Sequence, residues 1–452
     1  MSQSLILNHR GLITNFNALS KTPEGALTIA ENVVIDKDGV AEPRRGFTRI
    51  ASAPASDAAR FDRLTSYQDK IIGHRSDDNS MQYYNSGWTQ YSGTYEHPDS
   101  DYARMQFMQA KGNLYFTTST GVKVIDSYSG PVYSTGMPRG LDGVGSTTGA
   151  SGFLGHNHQI AYRIVWGSRD ANNNLYLGTP SQRIIVINNT GGTRDVSLTF
   201  TIPSGITTSD FFQVYRSQES ASVSDEPNDE LQLVYEKAPT AGEITAKSVT
   251  FTDSTPYSLM GAYLYTNSSQ EGIAQANDEP PFAKDITLFK GYTFFGNVKT
   301  KHQLNIKLVA VSGTGLALND TITINSMVFT AKNAENIASR EFLLSTGGSA
   351  AQNIADTAQS LVKVINQYSS NTTIYAYYIS GYQDLPGQIL LVKRTLDDTS
   401  FAVSTSNSVA FDVDTGTSSN EEYENGLMWS KLEQPEHVPT ANINYIGSKN
   451  YP

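Results

Sequence analysis

Closely spaced histidines are the first residues that suggest chemistry in this chain of 452 residues. His156 and His158 are separated by one residue, so on a strand both side chains would point to the same face, as two metal ligands do. No acidic residue or further histidine follows at a spacing that would complete a metal site. We therefore predict a structural or surface role for this pair.

Two acidic stretches resemble the start of a calcium-binding loop. Asp36 opens "DKDG" and Asp170 opens "DANNN". Such a loop needs glycine at its sixth position and a bidentate glutamate at its twelfth. Neither sixth residue is glycine, and the twelfth residues are Phe47 and Ser181. Both stretches are therefore predicted to be turns, because Asp, Asn and Gly tolerate left-handed backbone conformations.

Other signatures of catalysis do not occur in the sequence. The chain has no cysteine, which excludes a cysteine nucleophile, a thiolate zinc site and disulfides. It has no phosphate-binding loop ending in Gly-Lys-Ser/Thr and no Gly-x-Ser-x-Gly elbow. Asp397 and Asp398 are interpreted as a solvated loop, not as the separated carboxylate pair of a glycosidase. We predict that the protein is not an enzyme and has no catalytic residue, metal or cofactor.

An arginine pair near the N-terminus suggests recognition of another surface. In "ENVVIDKDGVAEPRRGFTRI", residues 31–50, we predict a strand, a turn at 36–39 and a return strand that Pro43 ends or moves to a sheet edge. Arg44 and Arg45 are then extended and suited to bidentate pairing with carboxylates. In an acidic protein such carboxylates belong to another subunit, so Arg44 and Arg45 are the candidate subunit interface; the alternative is a solvated loop.

Composition and charge indicate the fold class and limit the partners. The 25 Tyr, 18 Phe and 36 Gly, with charged residues at 17%, favour short strands joined by turns. The formal net charge of -11 argues against a surface that grips nucleic acid, but not against a passage through which DNA slides. No signal peptide or membrane-spanning run is evident, so we expect a soluble, unexported protein without stable membrane association.

Three stretches have the pattern of one antiparallel hairpin: "RLTSYQDKIIGHR" from Arg63, "RMQFMQAKGNLYFTT" from Arg104 and "DITLFKGYTFFGN" from Asp285. The first two are separated by about 40 residues, the length of one four-stranded propeller blade. We predict a mainly β fold, an interrupted β-propeller. Only three or four candidate blades are found, so either the native chain continues beyond this sequence or the propeller is incomplete.

Two insertions are predicted between the blade segments. The first, 151–258, has five to seven short strands and resembles a fibronectin type III sandwich in "FQVYRS" and "FTDSTP". The second, 301–425, is predicted as a small α+β module with a helix from Ala350 to Tyr368, capped by Ser349 and Gln352. The remaining boundaries are an N-terminal arm with the first strands at 1–50, blades at 51–150, a blade at 259–300 and a return to the propeller at 426–452.

Four segments together resemble the tail nozzle family of short-tailed bacteriophages, also called tail tubular protein B or stabilisation proteins. They are "GLITNFNALSKTPEGALTIAENVVIDKDGVAEPRRGF" from Gly11, "GMPRGLD" from Gly136, "YTNSSQEGIAQANDEPPFAKDITLFKGYTFFGN" from Tyr265 and "MWSKLEQPEHVP" from Met428. The resemblance implies an interrupted β-propeller and a structural virion protein without enzymatic activity.

The same resemblance implies partners and location. The expected assembly is a homohexameric ring in the virion tail, assembled in the host bacterial cytoplasm, below the portal-proximal and tail adaptor proteins. It would form a conduit for the transient, non-specific passage of DNA and a platform for tail fibres or adaptor. The alternative is a receptor-binding or glycan-processing propeller tail protein. Trp88, Trp166 and Trp429 lie in three different segments, which disfavours a single sugar-stacking platform.

Overall fold

The N-terminal part of the chain contains a hairpin that forms its own small sheet. The computed structural model describes residues 29, 31–37, 40–44, 46, 61–99, 105–381, 384–439 and 442–445. Met1–Asp57 and Ala58–Pro452 are two units. In the first unit, β1 (Val33–Lys37) pairs with β2 (Val40–Pro43), and Lys37 lies opposite Val40.

The three hairpins predicted from the sequence are confirmed and share one turn geometry. In each, two residues with positive φ connect the strands, as in type I′ turns, whose twist matches that of the paired strands. The turn residues are Gln68 and Asp69, with φ of 46° and 59°; Lys111 and Gly112, with 53° and 82°; and Lys290 and Gly291, with 50° and 81°.

The first two hairpins each continue directly into a four-stranded antiparallel meander. Sheet A comprises β3 (Phe61–Tyr67), β4 (Lys70–Arg75), β5 (Ser80–Tyr84) and β6 (Trp88–Gln90). Sheet B comprises β7 (Phe107–Ala110), β8 (Asn113–Thr118), β9 (Gly121–Ile125) and β10 (Tyr133–Ser134).

A β-sandwich follows sheet B. Sheet D comprises β11 (Gly143–Thr148), β15 (Asp195–Thr201) and β18 (Ser248–Asp253). Sheet E comprises β12 (Gln159–Arg169), β13 (Leu175–Leu177), β14 (Ile184–Ile187), β16 (Phe211–Arg216) and β17 (Gln232–Lys237). A short helix, α1 (Ala241–Ala246), precedes β18. Trp166, Phe200 and Phe212 pack at the centre of the core that the two sheets share.

A buried ion pair joins the two sheets of the sandwich. Arg216 of β16 and Asp253 of β18 are both fully buried, and the guanidinium donates to Asp253 Oδ2 at 2.6 Å. Tyr162 Oη donates to the same oxygen at 2.8 Å, and the guanidinium lies 3.7 Å from the centre of the Phe153 ring. These two charged residues belong to "FQVYRS" and "FTDSTP", the motifs that suggested a sandwich of this type.

The second insertion is larger than one helix on one sheet. Sheet F comprises β21 (Gln303–Leu308), β25 (Ile374–Tyr378), β26 (Gln388–Lys393) and β28 (Phe411–Val413). Sheet G comprises β22 (Thr321–Ile324), β23 (Met327–Lys332), β24 (Glu341–Leu343) and β27 (Val403–Thr405). Both sheets share one core with the predicted helix, which is confirmed as α2 (Ala350–Gln367). We call this unit the α+β module.

The predicted capping box of α2 is only half formed. Ser349 accepts a hydrogen bond from the Gln352 amide at 3.2 Å, as an N-cap residue does. The Gln352 side chain donates instead to Asp356, one turn further along the helix, at 2.7 Å. The apolar face was predicted correctly, since Ala358, Leu361 and Ile365 are fully buried.

Sheet C is divided in sequence by the α+β module. Its hairpin, β19 (Phe282–Phe289) and β20 (Tyr292–Lys299), is completed only after the module, by β29 (Glu422–Trp429) and β30 (Ile443–Tyr445). The central strands β20 and β29 pair antiparallel, with Phe294 opposite Trp429. The module is therefore inserted between the second and third strands of one sheet.

Sheets A, B and C pack face to face in that order. Strand β8 shows this arrangement, because alternate side chains of a strand point to opposite faces. Leu114 and Phe116 pack against sheet A in one core cluster, whereas Tyr115 packs against sheet C in another. Sheet B is thus covered on both faces, and we call the three sheets the stack.

The predicted fold class is confirmed at the level of a mainly β protein with several antiparallel sheets. Closure of a propeller and the fibronectin type III likeness of the sandwich remain proposals. Within the described part of the chain, no helix is long and apolar enough to cross a membrane.

Removal of the Asp253 carboxylate should destabilise the sandwich strongly, because it leaves the Arg216 charge buried without its partner. We expect Asp253→Ala to lower the free energy of unfolding by about 3–5 kcal/mol. Trp166 is in the sandwich core, so urea unfolding can be followed by its fluorescence in a background where Trp88 and Trp429 are replaced by Phe.

Lys237→Ala is the matched control, since Lys237 pairs with Glu243 in the same sandwich but is 39% exposed. Exposed pairs contribute up to about 1 kcal/mol, so this change should have little effect. Equal losses in the two variants would contradict the assigned role of the buried pair.

Candidate functional site

The segment that leads from sheet B into the sandwich, residues 135–143, is the centre of the candidate site, and we call it the strap. Thr135 donates its hydroxyl to the carbonyl of Val122 in sheet B at 3.0 Å. The Gly140 amide donates to the carbonyl of Thr179 in the sandwich at 2.9 Å. The Arg139 guanidinium lies 4.9 Å from the centre of the Tyr377 ring in the α+β module. One short segment therefore contacts three parts of the fold.

Gly140 allows the closest approach between the strap and the sandwich. A Cβ atom at this position would lie 2.5 Å from the carbonyl oxygen of Ile164 and 2.7 Å from the amide nitrogen of Ser181. Both neighbours are backbone atoms of the sandwich, so they cannot turn aside as a flexible side chain can. Glycine is required here for close packing of one backbone against another.

Asp142 at the end of the strap links the sandwich to helix α2. Its carboxylate accepts hydrogen bonds from Thr201 Oγ1 at 2.9 Å and from Asn366 Nδ2 at 2.7 Å. Burial raises the pKa of Asp142, and the hydrogen bonds from Asn366 and Thr201 oppose that rise. The two inserted units are thus joined through one strap residue.

The loop between β12 and β13, residues 170–174, docks into sheet B. Asn172 Nδ2 donates to the side chain of Asn113 at 2.7 Å and to the carbonyl of Asp126 at 2.8 Å. The Asp170 carboxylate accepts from Asn113 Nδ2 at 2.7 Å and from Asn174 Nδ2 at 2.7 Å. This is the "DANNN" stretch, and its amide side chains attach the sandwich to the stack.

The segment that follows β29, residues 430–438, closes the site, and we call it the closing segment. Glu436 is buried and accepts hydrogen bonds from the Gly136 amide at 2.7 Å and from Tyr115 Oη at 3.1 Å. The hydroxyl oxygens of Tyr115 and Tyr176 lie 3.4 Å apart, and Tyr176 Oη donates to the Asp170 carboxylate at 3.0 Å. The closing segment, strap, sheet B and sandwich therefore share one buried hydrogen-bond network. We call this network the junction.

The two carboxyl groups of the junction have opposite pKa shifts. Burial raises the pKa of Glu436 to about 7, against the effect of the hydrogen bonds from Gly136 and Tyr115. Burial also tends to raise the pKa of Asp170, but hydrogen bonds from Asn174 and Asn113 outweigh it and hold that pKa below its usual range. Glu436 therefore changes protonation near neutral pH while Asp170 stays ionised.

His437, next to Glu436, is held in its neutral form. Its Nδ1 lies 2.5 Å from Gln434 Oε1, and its Nε2 accepts from the Leu177 amide at 3.3 Å. The first contact makes Nδ1–H a donor, and the second needs Nε2 unprotonated, so the pair fixes one tautomer. Burial lowers the pKa of His437 to about 3, and nearby Lys431 adds to the shift.

A cavity of about 890 Å³ lies beside the junction, and its lining comes from sheet B, the sandwich and the α+β module. Two carboxyl groups with separated pKa values in a cavity can form an acid–base pair. Here their oxygens already accept hydrogen bonds from the chain's own amides and hydroxyls. The arrangement is suited to holding modules together and leaves no oxygen of these two groups without a donor.

The predicted histidine pair does not lie on a strand. His156 is in a turn and His158 immediately precedes β12. His156 Nδ1 is 3.0 Å from the carbonyl oxygen of Thr190, and His158 Nδ1 is 2.6 Å from that of Ser220. The two side chains therefore do not share a strand face, and each ring makes a hydrogen bond within the fold. In the described ranges, no group of three His, Asp or Glu side chains is placed to hold a metal.

The acidic residues singled out in the sequence lie in different surroundings in the structure. Asp36 lies within β1 and not in the predicted turn. Asp398 pairs with Lys299 of sheet C, and Asp397 accepts hydrogen bonds from Lys393 and Thr399. The two side chains are 41% and 68% exposed, which agrees with the predicted solvated loop, and the ion pair of Asp398 also links this loop to sheet C.

The candidate subunit interface is described only in part. Arg44 follows β2, is exposed, and donates its amide to the carbonyl of Asn32 at 2.8 Å. Arg45 lies outside the described residues. The two arginines therefore remain a prediction.

The junction itself was not predicted as a site. Parts of three of the four segments for which the sequence analysis expects a tail nozzle resemblance meet there: the strap, the linker 265–281 and the closing segment, whose Val438 amide donates to the carbonyl of Asp278 in the linker at 3.2 Å. In the linker, Tyr265 Oη donates to the carbonyl of Gly178 at 2.9 Å, and Asn277 Nδ2 donates to that of Leu177 at 2.8 Å. No family model, curated protein or solved structure matches this chain.

Glu436 and His437 are expected to change stability with pH in opposite directions. Between pH of about 4.5 and about 7, folded Glu436 keeps a proton that the unfolded chain releases, so its contribution to stability falls as pH rises. Between pH of about 6.5 and about 3, unfolded His437 gains a proton that the folded chain excludes, so its contribution falls as pH drops.

Glu436→Gln should remove the fall in stability that Glu436 causes as pH rises. From pH of about 4.5 to about 7, the free energy of unfolding of the variant should therefore rise by up to roughly 3 kcal/mol relative to that of the native chain. The free energy of unfolding of His437→Gln should rise relative to that of the native chain as pH falls below about 6.5. Calorimetric unfolding over this pH range measures both effects. The control is Glu433→Gln, whose side chain is 58% exposed, and it should follow the native curve. Curves parallel to the native one for all three variants would refute the assignment.

Proposed function

We propose that this chain is a structural protein of a short bacteriophage tail, one subunit of a ring-shaped nozzle through which DNA leaves the virion. One observation carries the proposal. Three separate, irregular segments, each of which resembles the tail nozzle family in sequence, meet at one buried junction. A resemblance that arose by chance would select segments without regard to their position in space. Contact among the strap, the linker 265–281 and the closing segment therefore supports a shared structural role.

The finer fold belongs to the same proposal. Sheets A, B and C are interpreted as blades of a β-propeller, interrupted by the sandwich between B and C and by the α+β module within C. Antiparallel four-stranded sheets packed face to face support this interpretation. The fibronectin type III likeness of the sandwich is supported by the buried pair that joins "FQVYRS" to "FTDSTP".

The proposed mechanism is passive conduction through a rigid ring. A formal net charge of -11 allows a polyanion to pass without adhering, whereas a basic lining would retain it by displacing counterions. The junction fixes the inserted units relative to the stack, so they can serve as platforms for tail fibres or the adaptor. The proposed location is the virion tail, with assembly in the host bacterial cytoplasm and no enzymatic step.

A second candidate is a receptor-binding or glycan-processing tail protein. Tyr292, Phe294 and Trp429 favour it, because they lie on one face of sheet C and are only half-buried. Aromatic faces of this kind stack on sugar rings. Trp88 and Trp166 are elsewhere, in sheet A and in the sandwich core, so they do not extend that surface.

The purified protein should form sixfold rings with an open axial hole, alone or after addition of tail adaptor proteins. Native mass spectrometry gives the subunit number, and class averages from electron microscopy show the hole. A monomer or trimer that binds host polysaccharide would reject the nozzle and favour the second candidate.

Arg44→Ala with Arg45→Ala should weaken ring assembly and leave the monomer folded. The expected reason is loss of bidentate contacts with carboxylates of a neighbouring subunit. The fraction of rings can be measured by sedimentation across a range of protein concentrations. A control that removes the same charge elsewhere is Arg169→Ala with Lys237→Ala, both in the sandwich. Unchanged assembly of the Arg44 and Arg45 variant would refute this interface.

A further inference from the structure

The cavity beside the junction contains two positive charges that lack an anionic partner within the described part of the chain. Its volume of about 890 Å³ is within the range of about 300–1,000 Å³ that is usual for small-molecule sites. Lys123 of β9 and Arg394, which follows β26, both line it. The acceptors of both side chains among the described residues are neutral oxygens. Charges that are removed from water normally pair with an opposite charge, so this cavity is suited to an anionic ligand.

Lys123 is half-buried at the edge of sheet B. Its Nζ donates to Ser134 Oγ of β10 at 3.0 Å. Burial lowers the pKa of Lys123, and the charge of Glu279 opposes that shift. Glu279 itself forms an ion pair with Lys301, which also lines the cavity. One carboxylate therefore serves two lysines on this wall, and Lys123 has no carboxylate of its own.

Arg394 is held in place by the sandwich and by its own module, but not by a negative charge. Its Nη1 donates to Ser204 Oγ at 2.6 Å, and its Nε donates to the carbonyl of Ile374 at 3.2 Å. The guanidinium lies 4.2 Å from the centre of the Tyr375 ring. Its Nη2 is buried and has no acceptor among the described residues. Burial lowers the pKa of Arg394, as expected for a charge without a carboxylate beside it.

The segments that carry these two cations are in contact with each other. A Cβ atom at Gly121, two residues before Lys123, would lie 2.8 Å from Leu396 Cδ1. Leu396 follows Arg394 by two residues. Sheet B and the α+β module therefore meet at this point, and each supplies one cation to the same cavity.

The cavity also offers groups that recognise hydroxyls and a ring. Tyr133 of β10 lines it and is 48% exposed. Asp210 accepts hydrogen bonds from the Thr207 amide at 2.7 Å and the Thr207 hydroxyl at 3.0 Å, both through Oδ2, so among the described residues its Oδ1 has no donor. Burial raises the pKa of Tyr133, and the nearby charges of Asp126 and Asp210 add to the rise. An aromatic ring and an available carboxylate oxygen are therefore close together.

We propose that this cavity binds a sugar acid, a saccharide unit that carries a carboxylate beside its hydroxyl groups. The carboxylate pairs with Lys123 and Arg394 through charge-assisted hydrogen bonds. A hydroxyl donates to Asp210 Oδ1, and the sugar ring packs on Tyr133. A neutral sugar would leave the two cations without an anion, and a simple inorganic anion has no use for Asp210 or Tyr133. The inference adds a ligand to the proposed nozzle and does not rest on ring formation.

Isothermal titration calorimetry of the full chain tests the inference with three sugar acids: trigalacturonate, a glucuronate disaccharide and sialyllactose. At least one of them should bind. Its methyl ester, which has the same hydroxyls without the charge, should bind at least about tenfold more weakly, as expected for loss of one charge-assisted hydrogen bond. Inorganic phosphate is the control for a simple anion and should not compete at the concentration of the sugar acid.

Variants of the lining residues locate the site. Lys123→Gln and Arg394→Gln should each weaken binding of the sugar acid by about tenfold or more and leave binding of the ester unchanged. Lys123 contacts only a serine hydroxyl, so its variant keeps the test valid if Arg394→Gln fails to fold. The matched control is Lys284→Gln, which removes a lysine of sheet C that is 44% exposed and does not line the cavity. Its affinity should equal that of the native chain.

The outcomes separate this inference from the proposed function. Sixfold rings that bind none of the three sugar acids, or that bind acid and ester equally well, would overturn the inference and leave the nozzle standing. Phosphate that displaces the sugar acid at equal concentration would also overturn it, because the cavity would then hold any small anion. A monomer whose binding of a sugar acid is lost in Lys123→Gln would support the inference and reject the nozzle.

Discussion

A single buried carboxyl group, that of Glu436, joins parts of the chain that are 300 and 321 residues apart in sequence. Burial of a carboxyl is unfavourable unless donors surround it, and here the donors come from the strap and from sheet B. The closing segment meets these donors only where the strap and sheet B lie beside it. The relative arrangement of the modules is therefore coupled to the hydrogen bonds of this group.

The same principle governs the other buried charges. Arg216 and Asp253 neutralise each other within the sandwich, and Asp142 is held by donors from both insertions. Buried polar networks add little net stability compared with apolar packing, but a partly satisfied network is strongly unfavourable. Such networks therefore select one arrangement among several that would bury similar apolar area. That property suits a protein whose proposed task is to hold a fixed shape under load.

Local features of the fold were predictable because short-range chemistry determines them. Lys-Gly at two turns supplied the positive φ values that hairpins need, and the spacing of Ala358, Leu361 and Ile365 indicated a buried helix face. Pairing of β20 with β29 was suggested only by a return of blade-like sequence, because nothing in local spacing specifies a partner about 120 residues away.

The candidate site was much harder to predict. Its polar residues, such as Asn113, Asn172 and Glu436, are widely separated in sequence and resemble ordinary surface or turn residues until the modules meet. "DANNN" was correctly interpreted as a turn, yet its docking contacts with sheet B could not be read from its composition. The histidine pair shows another limit, because a spacing of two residues places both rings on one face only in a strand, and the turn at His156 separates their contacts.

The division of sheet C by the α+β module has a consequence for the order in which the protein folds. Sheets A and B form from consecutive segments, so their contacts are local and can form early during synthesis. Sheet C can be completed only after about 120 further residues have been synthesised. Closing so long a loop is entropically unfavourable unless the inserted module has already become compact. Until then the edge of β20 is open to pairing with other chains, and the apolar face of sheet B that packs on sheet C is exposed. Compaction of the α+β module brings β29 beside β20, so we expect the module to fold before sheet C is completed.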